Sequence, residues 1–201
     1  MFFVEPAIVK LRNEFGRIPS ERQDVLRQIA RFIETHSVSN LVFICTHNSR
    51  RSHIAQIWSE AAAGYFNIKN VSAFSGGTEA TAFNPRAVDA LRNLGFRIDP
   101  TDPGINPHYT VRYSDTHPAF DVFSKTYDSK GNPAKDFAAI MTCTHADENC
   151  PVVHGASARI SLPYDDPKDF DGTHLETTMY KERSLEIGRE ILFAFSQVKT
   201  Q

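Results

Sequence analysis

Apolar residues along the chain fall into short continuous runs and into stretches with helical spacing. Four of the runs predict strands buried on both faces of a parallel sheet, at residues 41–44, 70–74, 137–142 and 158–162. Between and after these strands, apolar side chains recur every three to four positions and predict helices over residues 52–66, 86–94 and 173–198. The alternation predicts an α/β fold, a doubly wound four-stranded parallel sheet flanked by helices.

Residues 1–39 precede this alternation and are predicted to form a helical extension that packs on the main domain, residues 40–201. A capping-box pattern from Ser20 to Gln23 is followed by helix-spaced apolar residues, which predicts a helix over residues 21–36. A shorter helix is expected over residues 6–15. A second capping-box pattern, Thr173 to Glu176, is predicted to open the last helix.

Residues 99–136 interrupt the alternation and contain five prolines. Within them, residues 109–113 and 120–123 are predicted to be short extended pieces that form a hairpin. Long loops near strand ends often shape access to a site, and they also serve as packing elaborations. The sequence leaves both interpretations open.

Composition narrows the class of protein. The chain has 201 residues, of which 41% are hydrophobic, and its formal net charge is −2, so nucleic-acid binding is not indicated. The apolar start, Met1 to Val4, is too short for a signal peptide or a membrane span. We therefore expect a cytoplasmic protein with no membrane partner. An odd count of three cysteines argues for catalytic or metal-binding thiols over structural disulfides.

The first candidate site follows the first predicted strand, where five residues separate Cys45 from Arg51. A polar turn between a strand and a helix directs backbone N–H groups at one point, and the helix start favours negative charge there. Such a loop can bind a tetrahedral oxyanion and stabilise a Cys45 thiolate, although a lone cysteine at a strand end is most often only a buried apolar group. Arg51 offers a planar fork to two oxygens. The predicted oxyanion-binding residues are Thr46, His47, Asn48, Ser49, Arg50 and Arg51.

Two further signals follow the last two predicted strands. Cys143 and Cys150 lie at the carboxyl edge of the predicted sheet, within reach of Cys45, so three thiols could pass one disulfide outward. The alternatives are incidental cysteines or a zinc site completed by His145 and His154. Asp166 precedes Pro167 after the last predicted strand. Its carboxylate is a candidate general acid, and an ordinary Asx turn is the alternative.

These residues together resemble the low-molecular-weight protein tyrosine phosphatase superfamily, which includes thioredoxin-coupled arsenate reductases. The resemblance covers residues 40–198, with residues 99–136 poorly matched. It rests on the segments Val42 to Ser52 and Thr142 to Pro151 and on Asp166. The cysteine pair Cys143 and Cys150 is similar to that of the reductase branch, and the Asp-Pro loop is where the family has its general acid.

Three residues depart from the family pattern. Arg50 stands where the loop often has a second cysteine, so a disulfide within the loop is excluded. His47 stands where glycine is usual, so the backbone there must suit a residue with a side chain. Gln56 occupies the place where some reductases have a glutamate near a potassium ion. A potassium site is therefore in doubt, and no metal or other cofactor is predicted.

The resemblance implies a thiol-based arsenate reductase. Cys45 would attack arsenate held by the loop, Asp166 would protonate the departing oxygen, and Ser52 would hydrogen-bond the Cys45 sulfur. Cys143 and then Cys150 would pass the disulfide onward, and thioredoxin would reduce it. The expected ligands are arsenate, phosphate or another tetrahedral oxyanion. The first alternative is a low-molecular-weight protein tyrosine phosphatase that forms a phosphocysteine. The second is a thiol redox sensor or a zinc-binding module.

Overall fold

The structure is a computed structural model that describes residues 1–149 and 152–199. Within these residues the helices are α1 (Glu5–Arg12), α2 (Ser20–Thr35), α3 (Arg51–Tyr65), α4 (Pro85–Arg92), α5 (Thr144–Asn149) and α6 (Glu176–Ser196). The strands are β1 (Ser39–Cys45), β2 (Val71–Gly77), β3 (Arg97–Pro100), β4 (Tyr109–Arg112), β5 (Phe120–Val122), β6 (Phe137–Met141) and β7 (Ala156–Ser161). Two short 3-10 helices span Phe15–Arg17 and Pro167–Phe170.

The predicted four-stranded parallel sheet is confirmed. Its order is β2-β1-β6-β7, and every neighbouring pair is parallel. The register places Ile44 of β1 between Gly76 of β2 and Met141 of β6. The carboxyl ends of β1, β2 and β6 therefore meet at one edge, which is where parallel α/β sheets bind ligands.

The two faces of β1 serve two cores. Leu41 and Phe43 point into the larger core, which includes apolar residues of α1, α2, α3, α4 and α6. Val42 and Ile44 point into a smaller core on the opposite face, which includes Cys143 and residues of β6 and α5. Burial on both faces explains why β1 is a continuous apolar run in the sequence.

Residues 1–39 share the larger core. Ile8 of α1 and Leu26 and Ile33 of α2 are fully buried in it, and both helices pack against α6. One continuous core therefore joins residues 1–39 to the rest of the chain. The predicted division into an extension and a catalytic domain stays a prediction.

Both predicted capping boxes are wrong. Helix α2 begins at Ser20 itself, with Pro19 as its N-cap and no side-chain cap. Helix α6 begins at Glu176, three residues after the predicted start. Thr173 instead accepts a hydrogen bond from the Leu175 N–H in the turn before the helix. By contrast, the side chain of Asn84 caps α4 by accepting from the Arg86 N–H at 2.9 Å.

Residues 97–122 contain a second sheet, antiparallel, in the order β3-β4-β5. The predicted hairpin is β4 paired with β5, with Tyr109 opposite Val122. Strand β3 was not predicted. Only one of its four residues, Ile98, is buried, so it has no apolar run to reveal it.

Within the described part of the chain, no helix combines the length and the apolarity that a membrane crossing requires.

Contact between α3 and α6 depends on a glycine. A Cβ at Gly188 of α6 would lie 2.5 Å from the Trp58 indole, which is fully buried. We expect Gly188→Ala to lower the free energy of unfolding by about 1–2 kcal/mol, because an overpacking cost of about 1–3 kcal/mol exceeds the roughly 1 kcal/mol gained in helix propensity. Urea denaturation measures the change.

Gly16→Ala is the matched control for Gly188→Ala. A Cβ there would have no atom within 4 Å, so its stability should equal or slightly exceed that of the wild type. Equal effects of the two substitutions would show that the close helix contact does not decide the result.

Candidate active site

The segment from Cys45 to Arg51, here called the oxyanion loop, joins the end of β1 to the start of α3. Its carbonyl groups are held by neighbours. Cys45 O, Thr46 O and Ser49 O accept from the N–H groups of Thr78 (3.2 Å), Glu79 (2.9 Å) and Asn84 (2.9 Å). Because the C=O and N–H of a trans peptide point in opposite directions, these bonds turn the following N–H groups away from the neighbours. The loop is therefore shaped to present N–H groups at its centre.

Asn48 sets the sharpest bend of the loop. Its φ is 44°, in the left-handed region that asparagine tolerates better than most residues. The side chain is fully buried and has a partner at each end: Oδ1 accepts from the Lys125 N–H at 2.9 Å, and Nδ2 donates to Ser52 Oγ at 2.8 Å. At position 47, where the family usually has glycine, histidine does not have a positive φ.

Cys45, the first residue of the oxyanion loop, is a free and buried thiol that is only 3% exposed. Its Sγ lies 3.1 Å from Ser52 Oγ. Since the amide of Asn48 already donates to that oxygen, the Ser52 proton is free to point at the sulfur. This geometry suits a charge-assisted hydrogen bond from Ser52 to a Cys45 thiolate, which is the role predicted for Ser52.

Both loop arginines point at Asp166, which lies in the acid loop, defined here as residues 162–167. Arg51 Nη2 donates to Asp166 Oδ2 at 2.8 Å, and Arg51 Nη1 donates to the Tyr164 carbonyl at 2.9 Å. Arg50 Nη2 donates to Oδ2 of the same carboxylate at 3.1 Å, so Arg50 faces inward and not into solvent. The carboxylate also accepts from the Lys168 N–H, which is the Asx turn considered above. An incoming oxyanion must therefore compete with Asp166 for Arg51.

Cys143 lies at the sheet edge beside Cys45. It is a free thiol, 1% exposed, in the same small core. Thr46, which follows Cys45 in the chain, contacts this segment: its Oγ1 is 3.5 Å from Cys143 Sγ and 3.2 Å from His145 Nδ1. The polar segment after Cys143 proves to be α5, whose Ala146 N–H donates to the sulfur at 3.4 Å.

Cys150 and Pro151 lie outside the described residues, so the third predicted thiol is placed by the sequence alone. Among residues 1–149 and 152–199, no group of three His, Cys, Asp or Glu side chains is arranged to hold a metal ion. The zinc alternative needs Cys150, and it gains no support from the described residues.

Residues 123–127, here called the bracing segment, were missed as part of the site. They follow β5 and pass beneath the oxyanion loop. Ser124 Oγ donates to the His47 carbonyl at 3.1 Å and accepts from the Thr81 N–H at 2.9 Å. Asn106 binds both backbone groups of Ser124 with its side-chain amide. The poorly matched region therefore supports the oxyanion loop directly.

Two buried titratable groups lie behind the loop. His53 of α3 is fully buried, and its Nε2 donates to the Phe123 carbonyl at 3.2 Å. Burial, reinforced by the charge of Lys125, lowers the pKa of His53 to about 3. Burial likewise lowers the pKa of Lys125 to about 8, and its ammonium lies 4.6 Å from the centre of the Phe123 ring. His53 is therefore neutral at physiological pH.

The cavity beside the oxyanion loop is small and polar. Its volume is about 170 Å³, and its lining residues are His47, Ser49, Arg50, Thr81 and Lys168. Three of these side chains, those of His47, Arg50 and Lys168, are basic. Such a lining suits a compact anion.

Comparison with known proteins identifies the family. No protein-family model matches the chain. The arsenate reductase of Brevibacillus brevis is 32% identical over 127 residues, which are 63% of this chain and 75% of that protein. The chain belongs to the arsenate reductase branch of the low-molecular-weight protein tyrosine phosphatase superfamily. The arsenate reductase of Halalkalibacterium halodurans is 27% identical over 152 residues, 75% of this chain and 91% of that protein.

Solved structures of this superfamily share the fold. A low-molecular-weight protein tyrosine phosphatase from T. tengcongensis superposes with a TM-score of 0.51 at 19% identity, covering 76% of this chain and 95% of that one. An arsenate reductase in the phosphate-binding state gives a TM-score of 0.51 at 16% identity, covering 81% of this chain and 100% of that one. The predicted family and fold are thereby confirmed, whereas the roles of individual residues stay predictions.

The bracing segment yields a prediction about anion binding. We expect Ser124→Ala to weaken phosphate binding by about fivefold, because one hydrogen bond that shapes the oxyanion loop is worth about 1 kcal/mol. The measurement is the phosphate concentration that half-protects Cys45 from alkylation, followed by mass spectrometry of its peptide. Thr101→Ala is the control. The Thr101 hydroxyl donates to His108 O within the same poorly matched region, residues 99–136, so this variant should bind phosphate like the wild type. Unchanged phosphate affinity in Ser124→Ala would refute the bracing role.

The lowered pKa of His53 predicts a pH dependence of stability. Below pH 6.5, the ordinary pKa of histidine, His53 binds a proton in the unfolded chain. In the folded chain it stays neutral down to about pH 3, because its pKa is lowered to about 3. Stability from this residue is therefore present above pH 6.5 and is lost as pH falls. Between about pH 7.5 and about pH 5 the wild type should lose roughly 2 kcal/mol more than His53→Asn.

Urea denaturation at the two pH values measures this difference. His174→Asn alters an exposed histidine and should leave the wild-type pH dependence intact. If His53→Asn and the wild type lose the same stability, His53 does not resist protonation in the folded state.

Proposed function

We propose that the protein is an arsenate reductase that converts arsenate to arsenite through a three-cysteine relay. The main support is the placement of two free thiols, Cys45 and Cys143, at the adjoining carboxyl ends of β1 and β6, where Thr46 Oγ1 lies 3.5 Å from Cys143 Sγ. A phosphatase needs only the first thiol. A second buried thiol at the adjoining strand end is what a disulfide relay requires.

The first step uses the oxyanion loop. The loop N–H groups and Arg51 bind arsenate, which displaces Asp166 from Arg51 and turns the carboxyl towards the departing oxygen. The Cys45 thiolate attacks arsenic, and Asp166 supplies the proton with which that oxygen leaves as water. The Ser52 hydroxyl stabilises the thiolate before attack. The product is a Cys45–arsenic(V) adduct.

The second step moves two electrons. The Cys143 thiolate attacks Cys45 Sγ, an S–S bond forms, and the S–As bond breaks with its electron pair going to arsenic, which leaves as arsenite. Cys150 then attacks Cys143, and the disulfide passes to residues 143 and 150 while Cys45 is released. An external dithiol protein of the thioredoxin type reduces this pair. Such a cycle requires a reducing compartment such as the cytoplasm.

The alternative is phosphomonoester hydrolysis through a phosphocysteine at Cys45. It shares the oxyanion loop and Asp166, so weak hydrolysis of an aryl phosphate is expected of the reductase as well. Cys143, for which a phosphatase has no catalytic need, favours the reductase.

Cysteine variants distinguish the two reactions. Cys45→Ser should lose both arsenate turnover and aryl phosphate hydrolysis. Cys143→Ser and Cys150→Ser should lose arsenate turnover by more than about 100-fold, because a hydroxyl cannot take part in thiol–disulfide exchange. Both should keep aryl phosphate hydrolysis, since its first step needs only Cys45. Turnover is measured with thioredoxin, its reductase and NADPH.

Cys143→Ala controls for effects of the new hydroxyl and should behave like Cys143→Ser. Arsenate turnover that survives the loss of Cys143 would refute the relay. If the wild type leaves arsenate unchanged and hydrolyses the ester regardless of both outer cysteines, the phosphatase function is correct.

A further inference from the structure

The acid loop is held from two sides, and one of the two contacts comes from residues 1–39. On the side of the active site, Arg51 Nη1 donates to the Tyr164 carbonyl at 2.9 Å. On the opposite side, Arg22 in the first turn of α2 donates from Nη2 to the Pro163 carbonyl, also at 2.9 Å. Successive carbonyls of an extended chain point in opposite directions, so each of these two is capped by a different guanidinium.

Arg22 is itself fixed in place. Its Nε lies 2.9 Å from Glu190 Oε2 and 3.1 Å from Oε1, and Glu190 is a buried residue of α6. The guanidinium also covers the Tyr164 ring, with 4.7 Å between Cζ and the ring centre. Arg22 thus contacts the core helix, a backbone carbonyl and an aromatic face at the same time. Only the planar guanidinium group can satisfy all three.

We propose that Arg22 is a positioning residue for the active site, and that α2 is therefore part of the catalytic scaffold. Arg22 holds the Pro163 carbonyl and the Tyr164 ring, and it thereby orients the next carbonyl of the loop, that of Tyr164, which accepts from Arg51. The same short loop then presents Asp166 to Arg51 at 2.8 Å. This inference rests on the proposed function for the roles of Arg51 and Asp166, but it makes a separate claim about binding.

The chain contains a matched control. Arg189 of α6 forms an ion pair with Glu14 at 3.2 Å, which also joins residues 1–39 to α6. Its side chain is 14% exposed, close to the 21% of Arg22. Arg189→Ala therefore removes a comparable link between the same two parts of the chain, at Glu14 instead of at the acid loop.

The test compares Arg22→Lys, Arg22→Ala and Arg189→Ala. Phosphate protection of Cys45 from alkylation is measured at a temperature where each variant is fully folded by circular dichroism, and arsenate turnover is measured in parallel. We expect Arg22→Lys to keep its ion pair with Glu190 and nearly wild-type stability. It should nevertheless bind phosphate at least fivefold more weakly and lower kcat about tenfold, because ammonium cannot also hold the Pro163 carbonyl. Arg189→Ala should stay within twofold of wild type on both readouts.

Arg22→Ala leaves Glu190 buried without its partner. If that variant does not fold, the double variant Arg22→Met with Glu190→Gln replaces it, since it keeps the side-chain volume and removes the buried charge. It is expected to show the same losses. Wild-type phosphate affinity and kcat in Arg22→Lys and in a folded variant without the guanidinium would overturn the proposal. Equal losses in Arg189→Ala would also overturn it, because they would reflect general loosening of residues 1–39.

The binding readout separates this proposal from the proposed function. A wild-type protein without arsenate turnover would contradict the reductase function, while phosphate protection of Cys45 would still report whether Arg22 positions the oxyanion site.

Discussion

The active site depends on the buried amide of Asn48. In its left-handed conformation, this residue closes the oxyanion loop, and its side chain connects three separate parts of the chain. One end is fixed by the backbone of Lys125, and the other end fixes Ser52, whose hydroxyl lies against the Cys45 sulfur. Without this connection the loop would lose the hydrogen bonds that fix its bend and orient the Ser52 hydroxyl.

Around this centre, two segments outside the four-stranded sheet support the site. Residues 123–127 brace the oxyanion loop through Ser124 and the backbone of Lys125. Residues 1–39 contact the acid loop through Arg22. The oxyanion loop and the acid loop are thus each held from behind by a segment outside the four-stranded sheet. The proposed function, anion binding with proton transfer, benefits from such rigid support.

The sequence predicted some features of the fold well for a physical reason. Strands buried on both faces must be apolar throughout, so β1 and β6 are evident as continuous runs. Strand β3 has one buried residue in four and gives no such signal. Helix α2 begins at Ser20, one residue before its predicted start, and α6 begins at Glu176, three residues after its predicted start, because the side-chain caps predicted at Ser20 and Thr173 are not formed. Tertiary packing decides where these helices begin.

The same contrast holds for the site. The predicted residues of the oxyanion site lie within eight consecutive positions, at Cys45, Asn48, Arg51 and Ser52. Their residue types alone predict an oxyanion loop next to a thiol. The bracing contacts join residues 77 positions apart, and one of them uses a backbone N–H that almost any residue could supply. Arg22 meets the acid loop across 141 positions. No local pattern marks such contacts, so only the folded structure reveals them.

The relay itself is tested most directly by a single turnover. Reduced protein is mixed with one equivalent of arsenate in the absence of thioredoxin, quenched with an alkylating reagent, and digested for peptide mapping. We expect one equivalent of arsenite, an alkylated Cys45 and a disulfide between Cys143 and Cys150. Arsenite formed while all three cysteines are recovered alkylated, or a disulfide between two protein molecules in place of the internal one, would contradict the relay.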